Sequence, residues 1–454
     1  MRKVAVGLVL FGTLLRVDFA DAQEVTIPFV KTTLPNGLVV ILSEDHSVPQ
    51  VALNVSYRVG SRVERLGRTG FAHLFEHLMF MGTDKVPTKA FDAWMEAAGG
   101  RNNAWTAEDR TDYFDIAPPT ALPLLLWLEA DRMRNLGPLI DQAKLDLQRE
   151  VVLNERRQSI ENQPYGVGEL ALPTLLWPEG HPYHHPVIGS PDDLRAASVA
   201  DVKAFFATWY DPANASVALA GDFDPAEASS AIARLFGTIP TRGKPAVASE
   251  PAAPANTPDS KAAPAAIVRQ TVSDNVELPR VTLAWRSPAH FAPGDAELDL
   301  LASVLAQGKD SRLYKSLVYD QKIAQDVTAR QESRVLESDF VIEATVRPGV
   351  EAATVEKALL DQVARVRSQD VSAQEMERAR NGYEMDFVDR LQSIPERASL
   401  LNMYEAEVSD PGYTSKDLER YRHATASDVA GYARQVLSPS ALVVLTIVPK
   451  KEAK

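Results

Sequence analysis

Within the run His73-Leu74-Phe75-Glu76-His77, three side chains competent for metal chemistry fall inside one helical turn. Residues i and i+4 lie one above the other on a helix, so both imidazoles can reach a single cation. Neutral imidazole nitrogen is a good zinc ligand, and two of them with one carboxylate leave a tetrahedral position open for water. Glu76 stands beside that water, where a carboxylate takes its proton as it attacks a carbonyl. The order H-x-x-E-H inverts the commoner H-E-x-x-H. The bland alternative is a helix with two surface histidines and a solvated glutamate. It leaves the spacing to chance in a chain with only 8 His among 454 residues.

Such a site needs a third ligand, normally a carboxylate from another element. The run from about Asp141 to Asn162, closed by Gln163-Pro164, has the polar, Leu/Val-punctuated pattern of a long helix. It offers Glu155, with Gln148 two turns away on the same face, and Glu150 as a rival. Spacing does not separate Glu155 from Glu150, and a helix rich in Glu and Arg is usually a solvated face.

The elements that must position these residues come in two sets. From Arg242 to Ala266 the chain is rich in Pro and Ala and nearly free of large apolar residues, as an extended linker would be. It separates an N-terminal metal-binding domain (23–241) from a C-terminal domain (267–454). Val48-Pro49-Gln50-Val51-Ala52-Leu53 matches Leu278-Pro279-Arg280-Val281-Thr282-Leu283 at an offset of 230. Asp201-Val202 and Pro212 match Asp428-Val429 and Pro439 at an offset of 227. Two matches at nearly one offset indicate a duplicated domain. Each copy opens with strand patterns, with Pro35-Asn36-Gly37 as a hairpin turn between Val30–Leu34 and Leu38–Leu42. Helical patterns follow, and strands at Ser216–Ala220 and Leu442–Val448 close the copies. The expected class is α+β: in each domain an antiparallel sheet with helices packed on one face. Aligning Phe80-Met81-Gly82 with Ala306-Gln307-Gly308 puts Asp299, Ala302 and Ser303 opposite His73, Glu76 and His77, so the second copy lacks the metal set.

His73–His77, followed 78 positions after His77 by the Glu155 of Val151-Val152-Leu153-Asn154-Glu155-Arg156-Arg157, resembles the pitrilysin/insulinase family of zinc metallopeptidases. Gly99-Gly100-Arg101-Asn102-Asn103-Ala104-Trp105-Thr106 resembles that family's G-x-x-N-A-x-T segment, and His181-Pro182-Tyr183 with Gly189 its H-P-Y…G loop. The likeness covers nearly all of the chain after residue 25 and is strongest to the short bacterial and mitochondrial-processing branch. It implies two homologous domains forming a clamshell. It also implies one zinc held by His73, His77 and Glu155, with Glu76 as general base, and so raises Glu155 over Glu150.

Two departures from the family pattern stand out. Active members carry an Arg and a Tyr seven apart, after a turn matched here by Gly308-Lys309-Asp310-Ser311-Arg312-Leu313; this chain has Val318 and Gln325 at those positions. A tetrahedral oxyanion needs a donor, which Val318 does not offer. The expected partner is therefore a homologous second subunit that supplies the pair. Gln148 stands where the family often has a further Glu, so zinc affinity should be tuned by the neutral amide.

Asn103 and Ala104, in a segment flanked by glycines, suit an edge strand that takes up an extended peptide by main-chain hydrogen bonds. A plain hairpin after a helix fits that pattern equally well. His181, His184 and His185 are expected to be structural rather than a second metal site; His46, His290 and His423 have no partner spacing.

Arg2-Lys3, the apolar run Val4 to Leu15 and Ala20-Asp21-Ala22 have the form of a signal peptide cleaved after Ala22, which predicts a periplasmic or secreted protein. Absence of Cys excludes disulfides and thiolate metal sites. The formal charge of −13, without a basic run, excludes nucleic acid as the natural partner, and no apolar run predicts a stable membrane span. The leading expectation is a zinc endopeptidase acting on peptides or short unfolded proteins. A non-catalytic scaffold subunit with a structural zinc is the alternative, and a processing peptidase with one dedicated substrate a third.

Overall fold

The computed structural model describes residues 25–245 and 267–450. The signal segment 1–22 and most of the linker 242–266 lie outside the described residues. Eleven strands are described: β1 (Val30–Thr33), β2 (Val39–Glu44), β3 (Val51–Tyr57), β4 (Arg101–Thr106), β5 (Thr111–Ala117) and β6 (Ala215–Gly221) in the first half, then β7 (Val268–Asp274), β8 (Arg280–Ser287), β9 (Ala324–Glu332), β10 (Ser338–Val346) and β11 (Val443–Pro449) in the second. The sheets run β1-β2-β6-β3-β5-β4 and β7-β11-β8-β10-β9. Apart from the extra β1, the two orders are the same path: β2, β6, β3, β5, β4 correspond to β7, β11, β8, β10, β9. Both sheets are antiparallel except for one parallel pair each, β2 with β6 and β7 with β11. That shared irregularity supports duplication more strongly than the short sequence matches do.

The expected hairpin joins β1 to β2, with Thr33 opposite Val39 and Gly37 at φ 88 in the turn. The helices after the last hairpin keep the same order in both halves. Gln142–Glu155 followed by Gly166–Leu176 is matched by Ala373–Gln392 followed by Ile394–Val408. Later helices in each half begin with reciprocal capping boxes, Ser198 with Asp201 and Thr425 with Asp428.

Each half packs most of its own helices on one face of its sheet, as expected. The opposite face takes a helix from the other half. Ile394–Val408 lies on β3 and β6, joining Ala398, Leu401 and Tyr404 to Ile41, Ala52, Ala218 and Ala220. Conversely, Gly166–Leu176 lies on β11, β7 and β8, where Leu176 and Trp177 meet Ala284, Val341 and Val443. Strands covered on both faces are buried along their whole length: all seven residues of β3 are buried, its two polar ones, Asn54 and Ser56, included.

Polar ties lock this exchange. The buried Asn402 amide donates to the Asn54 carbonyl at 2.8 Å, and Arg58 and Lys31 both reach Glu405. Across the same seam Arg334 pairs with Glu108 at 2.8 Å, and Asp109 accepts from the Val335 amide at 3.0 Å. The two halves thus face each other as a clamshell, joined by the exchanged helices. Among the described residues no helix is long and apolar enough to cross a membrane.

Candidate metal centre

Helix Phe71–Leu78 buries Phe71, Leu74, Phe75 and Leu78, one stripe at helical spacing. His73, Glu76 and His77 therefore fall on the other face, toward β4 and helix Gln142–Glu155. The helix is short, and its cap, Gly70, is left-handed and has no side chain to satisfy the first amides. Glu64 does this instead. Its carboxylate accepts from the Gly70 and Ala72 amides, each at 2.7 Å. Burial pushes its pKa up to about 8, against those hydrogen bonds. Sequence reasoning missed Glu64, because a capping carboxylate six residues upstream of the cap it serves has no periodic signature.

Helix Gln142–Glu155 starts at Asp141, whose side chain accepts from the Lys144 amide at 2.9 Å. It anchors through Leu145, Val152 and Leu153, which presents Glu155 to the histidines. The His73 and His77 Nε2 atoms are 3.3 Å apart, and Glu155 oxygens lie 3.7 Å and 3.1 Å from them. One ligand atom from each of the three residues falls within a 4.8 Å spread, the single such convergence among the described residues. Glu150 is exposed on the outer side of the helix, so geometry favours Glu155 where spacing left both open.

The electrostatics suit a cation. Burial, reinforced by His77, lowers the His73 pKa to about 4, which keeps that imidazole neutral and free to ligate at neutral pH. The hydrogen bond from His77 lowers the Glu155 pKa and keeps the carboxylate charged. Two imidazole nitrogens and one carboxylate converging on one point are the donor set of a catalytic zinc site. The residues present fit that ion.

Glu76 faces the same point but is not part of the trio. Its Oε2 accepts from the Thr106 hydroxyl at 2.5 Å, and burial raises its pKa. Thr106 is the last residue of β4, so the sheet edge and the carboxylate touch directly; the sequence showed the segment but not this role. Among the described residues β4 pairs with β5 alone and forms the outer edge of its sheet. Asn103 is exposed on that edge, and Ala104 packs toward the core. Gln148 turns its amide to the Met81 sulfur at 2.7 Å.

The histidine-rich loop is held by local contacts. His181 stacks on Trp177 at 4.5 Å, His184 bonds the Trp177 carbonyl, and His185 lies 3.7 Å from Glu64. Val318 is buried within the turn Tyr314–Asp320, and Gln325 is exposed at the start of β9.

Known proteins share the fold and sequence pattern of this chain. Residues 39–179 match the profile described as Insulinase (Peptidase family M16), and residues 196–383 the one described as Peptidase M16 inactive domain. The zinc protease PqqE of Helicobacter pylori is 28% identical over 394 residues, 87% of each chain. A crystal structure of a protease from Helicobacter pylori superposes with a TM-score of 0.85 at 25% identity, covering 94% of this chain and 100% of that one. The probable mitochondrial-processing peptidase subunit beta of Arabidopsis thaliana is 28% identical over 224 residues, 49% of this chain and 41% of that one.

Proposed function

The chain belongs to the insulinase (M16) peptidase family, and from that premise we propose that it is a zinc-dependent endopeptidase of peptides or short unfolded polypeptides, working as the zinc-bearing subunit of a heteromer. The convergence of His73, His77 and Glu155 beside a free carboxylate carries this reading.

His73, His77 and Glu155 would hold one zinc per chain. Bound there, zinc supplies Lewis-acid polarisation of the scissile carbonyl and of the attacking water. Glu76 takes the proton of that water on its unbonded oxygen and passes it to the departing nitrogen. Thr106 occupies the other oxygen and fixes the carboxylate plane. The exposed edge of β4 adds the substrate as a further strand through main-chain hydrogen bonds around Asn103 and Ala104, which selects extended peptide rather than a particular side chain.

One donor is missing. The developing oxyanion needs a hydrogen-bond or cationic partner, and Val318 is a buried hydrocarbon. A homologous subunit carrying the Arg/Tyr pair completes the site in this reading. A periplasmic or secreted location belongs to the same reading, supported by the signal-like pattern of residues 1–22.

The test is cleavage of an unstructured quenched-fluorescent peptide by the mature chain with zinc, beside Glu76→Gln. The expected result is weak zinc-dependent turnover alone, strong turnover with the partner, and a loss of about 10²–10⁴-fold in Glu76→Gln with zinc still bound. Full activity of the purified chain alone would remove the heteromer. The same missing donor favours a second reading, a scaffold subunit with a structural zinc; it predicts no turnover in any combination and no effect of Glu76→Gln.

A further inference from the structure

Glu155 is the last residue of its α-helix, and the chain does not stop there. It passes straight into a widened π-helical turn, Arg156–Glu161. Only Asn162 to Tyr165 separate that turn from helix Gly166–Leu176, the helix that lies on the sheet of the other half. Turns of this type interrupt a helix at some cost and are concentrated at functional sites.

Each part of this connection is fastened to the next. A Cβ on Gly166 would stand 1.8 Å from the Ile160 carbonyl oxygen, so the start of the second helix abuts the widened turn. Tyr165, between them, holds φ 69, a left-handed conformation that residues other than glycine rarely adopt. Contacts to the second half hold it there. The Arg280 guanidinium lies 3.7 Å above its ring, and its hydroxyl donates to the Leu278 carbonyl at 3.1 Å. One turn on, a Cβ on Gly168 would stand 2.7 Å from Ile447. On the near side Arg156 donates to the Gly189 carbonyl at 2.6 Å, within the first half. Glu155 thus lies at a joint, its own helix packed in one half and its continuation gripped by the other.

We propose that the second half positions the third metal ligand. Tyr165 and Arg280, with the helix Gly166–Leu176 seated on β11, hold the turn Arg156–Glu161 so that Glu155 meets His73 and His77. They are positioning residues, acting on the metal through Glu155. The domain without metal ligands then sets the affinity of the domain that has them. This inference rests on the metal assignment proposed above, but not on catalysis or on a partner subunit.

The test is zinc affinity of the full mature chain, by competition with a chelating dye, beside thermal unfolding of the metal-free protein. Tyr165→Ala and Gly168→Val are expected to weaken zinc about tenfold, the scale of losses when an outer partner orienting a ligand is removed. The control is Ala398→Val, a buried change in the other exchanged helix, which should lower the melting temperature and leave zinc affinity within about twofold. Unchanged affinity in both Tyr165→Ala and Gly168→Val overturns the proposal, as does an equal loss in Ala398→Val, which would mark general loosening. Absence of zinc binding by the wild-type chain would instead overturn the metal assignment itself, and this proposal with it.

Discussion

The two halves share a strand path and a helix order, and they differ at the one place where chemistry is expected. In the first half, helix Phe71–Leu78 presents His73, Glu76 and His77 to a carboxylate from a neighbouring helix. In the second, helix Asp295–Ala306 presents Asp299, Ala302 and Ser303 to a cleft of about 370 Å³ lined also by Arg330, Tyr383 and Asp386. Asp299 has been absorbed into the fold. It accepts from the Tyr421 hydroxyl at 2.7 Å, and burial, with Asp295 close by, pushes its pKa up to about 7. The frame tolerates either arrangement, so a handful of side chains separates a candidate metal centre from a polar contact within the fold. A fold of this kind does not by itself report activity.

The largest effect that would test this contrast is on metal content. His77→Ala should leave the chain without bound zinc, a loss beyond the roughly 10–100-fold typical of outer partners. Asp299→Ala should keep one zinc per chain, as measured by elemental analysis after gel filtration. Zinc retained by His77→Ala, or lost with Asp299→Ala, would reverse the assignment of the halves.

A second effect lies in the pH dependence of stability. The Asp299 carboxyl is raised from 3.8 to about 7 in the folded chain. Between those values the native state keeps a proton that the unfolded state has released. Its stabilising share is therefore present at low pH and is lost as pH rises through about 7. Asn accepts the same Tyr421 bond and does not ionise. Asp299→Asn should thus narrow the gap in melting temperature between pH 5 and pH 8; an undiminished gap would show that Asp299 ionises freely.

The smallest effect is on tuning within the first half. Gln148→Glu adds a negative charge two turns from Glu155 and should tighten zinc by a few-fold, on the lower side of outer-shell effects. An equal dissociation constant would show that the charge is screened from the metal.

Much of the metal half was legible in the sequence because its signals are local. His73, Glu76 and His77 share a turn with an apolar stripe on the opposite face, and period 3.6 reports both. Glu155 was not separable from Glu150 on the same grounds, since the choice depends on how two distant helices cross. Thr106 was visible only as part of a resembling segment, because its contact with Glu76 joins a strand end to a helix 30 residues away. The exchange of helices left no trace at all. Gly166–Leu176 and Ile394–Val408 show which of their faces is apolar, and nothing in periodicity says whose sheet that face will cover.

That exchange also has a consequence in time. During synthesis the first sheet is complete once Gly221 has emerged, yet one face of it, around Ile41, Ala52, Ala218 and Ala220, has no cover until Ile394–Val408 exists. At roughly 5–20 residues per second the interval is on the order of ten to forty seconds. Throughout it, a nascent first half carries a bare apolar surface and a tie, Asn54 to Asn402, that spans 348 residues. The risk of wrong association therefore falls on the birth of the chain rather than on its finished state.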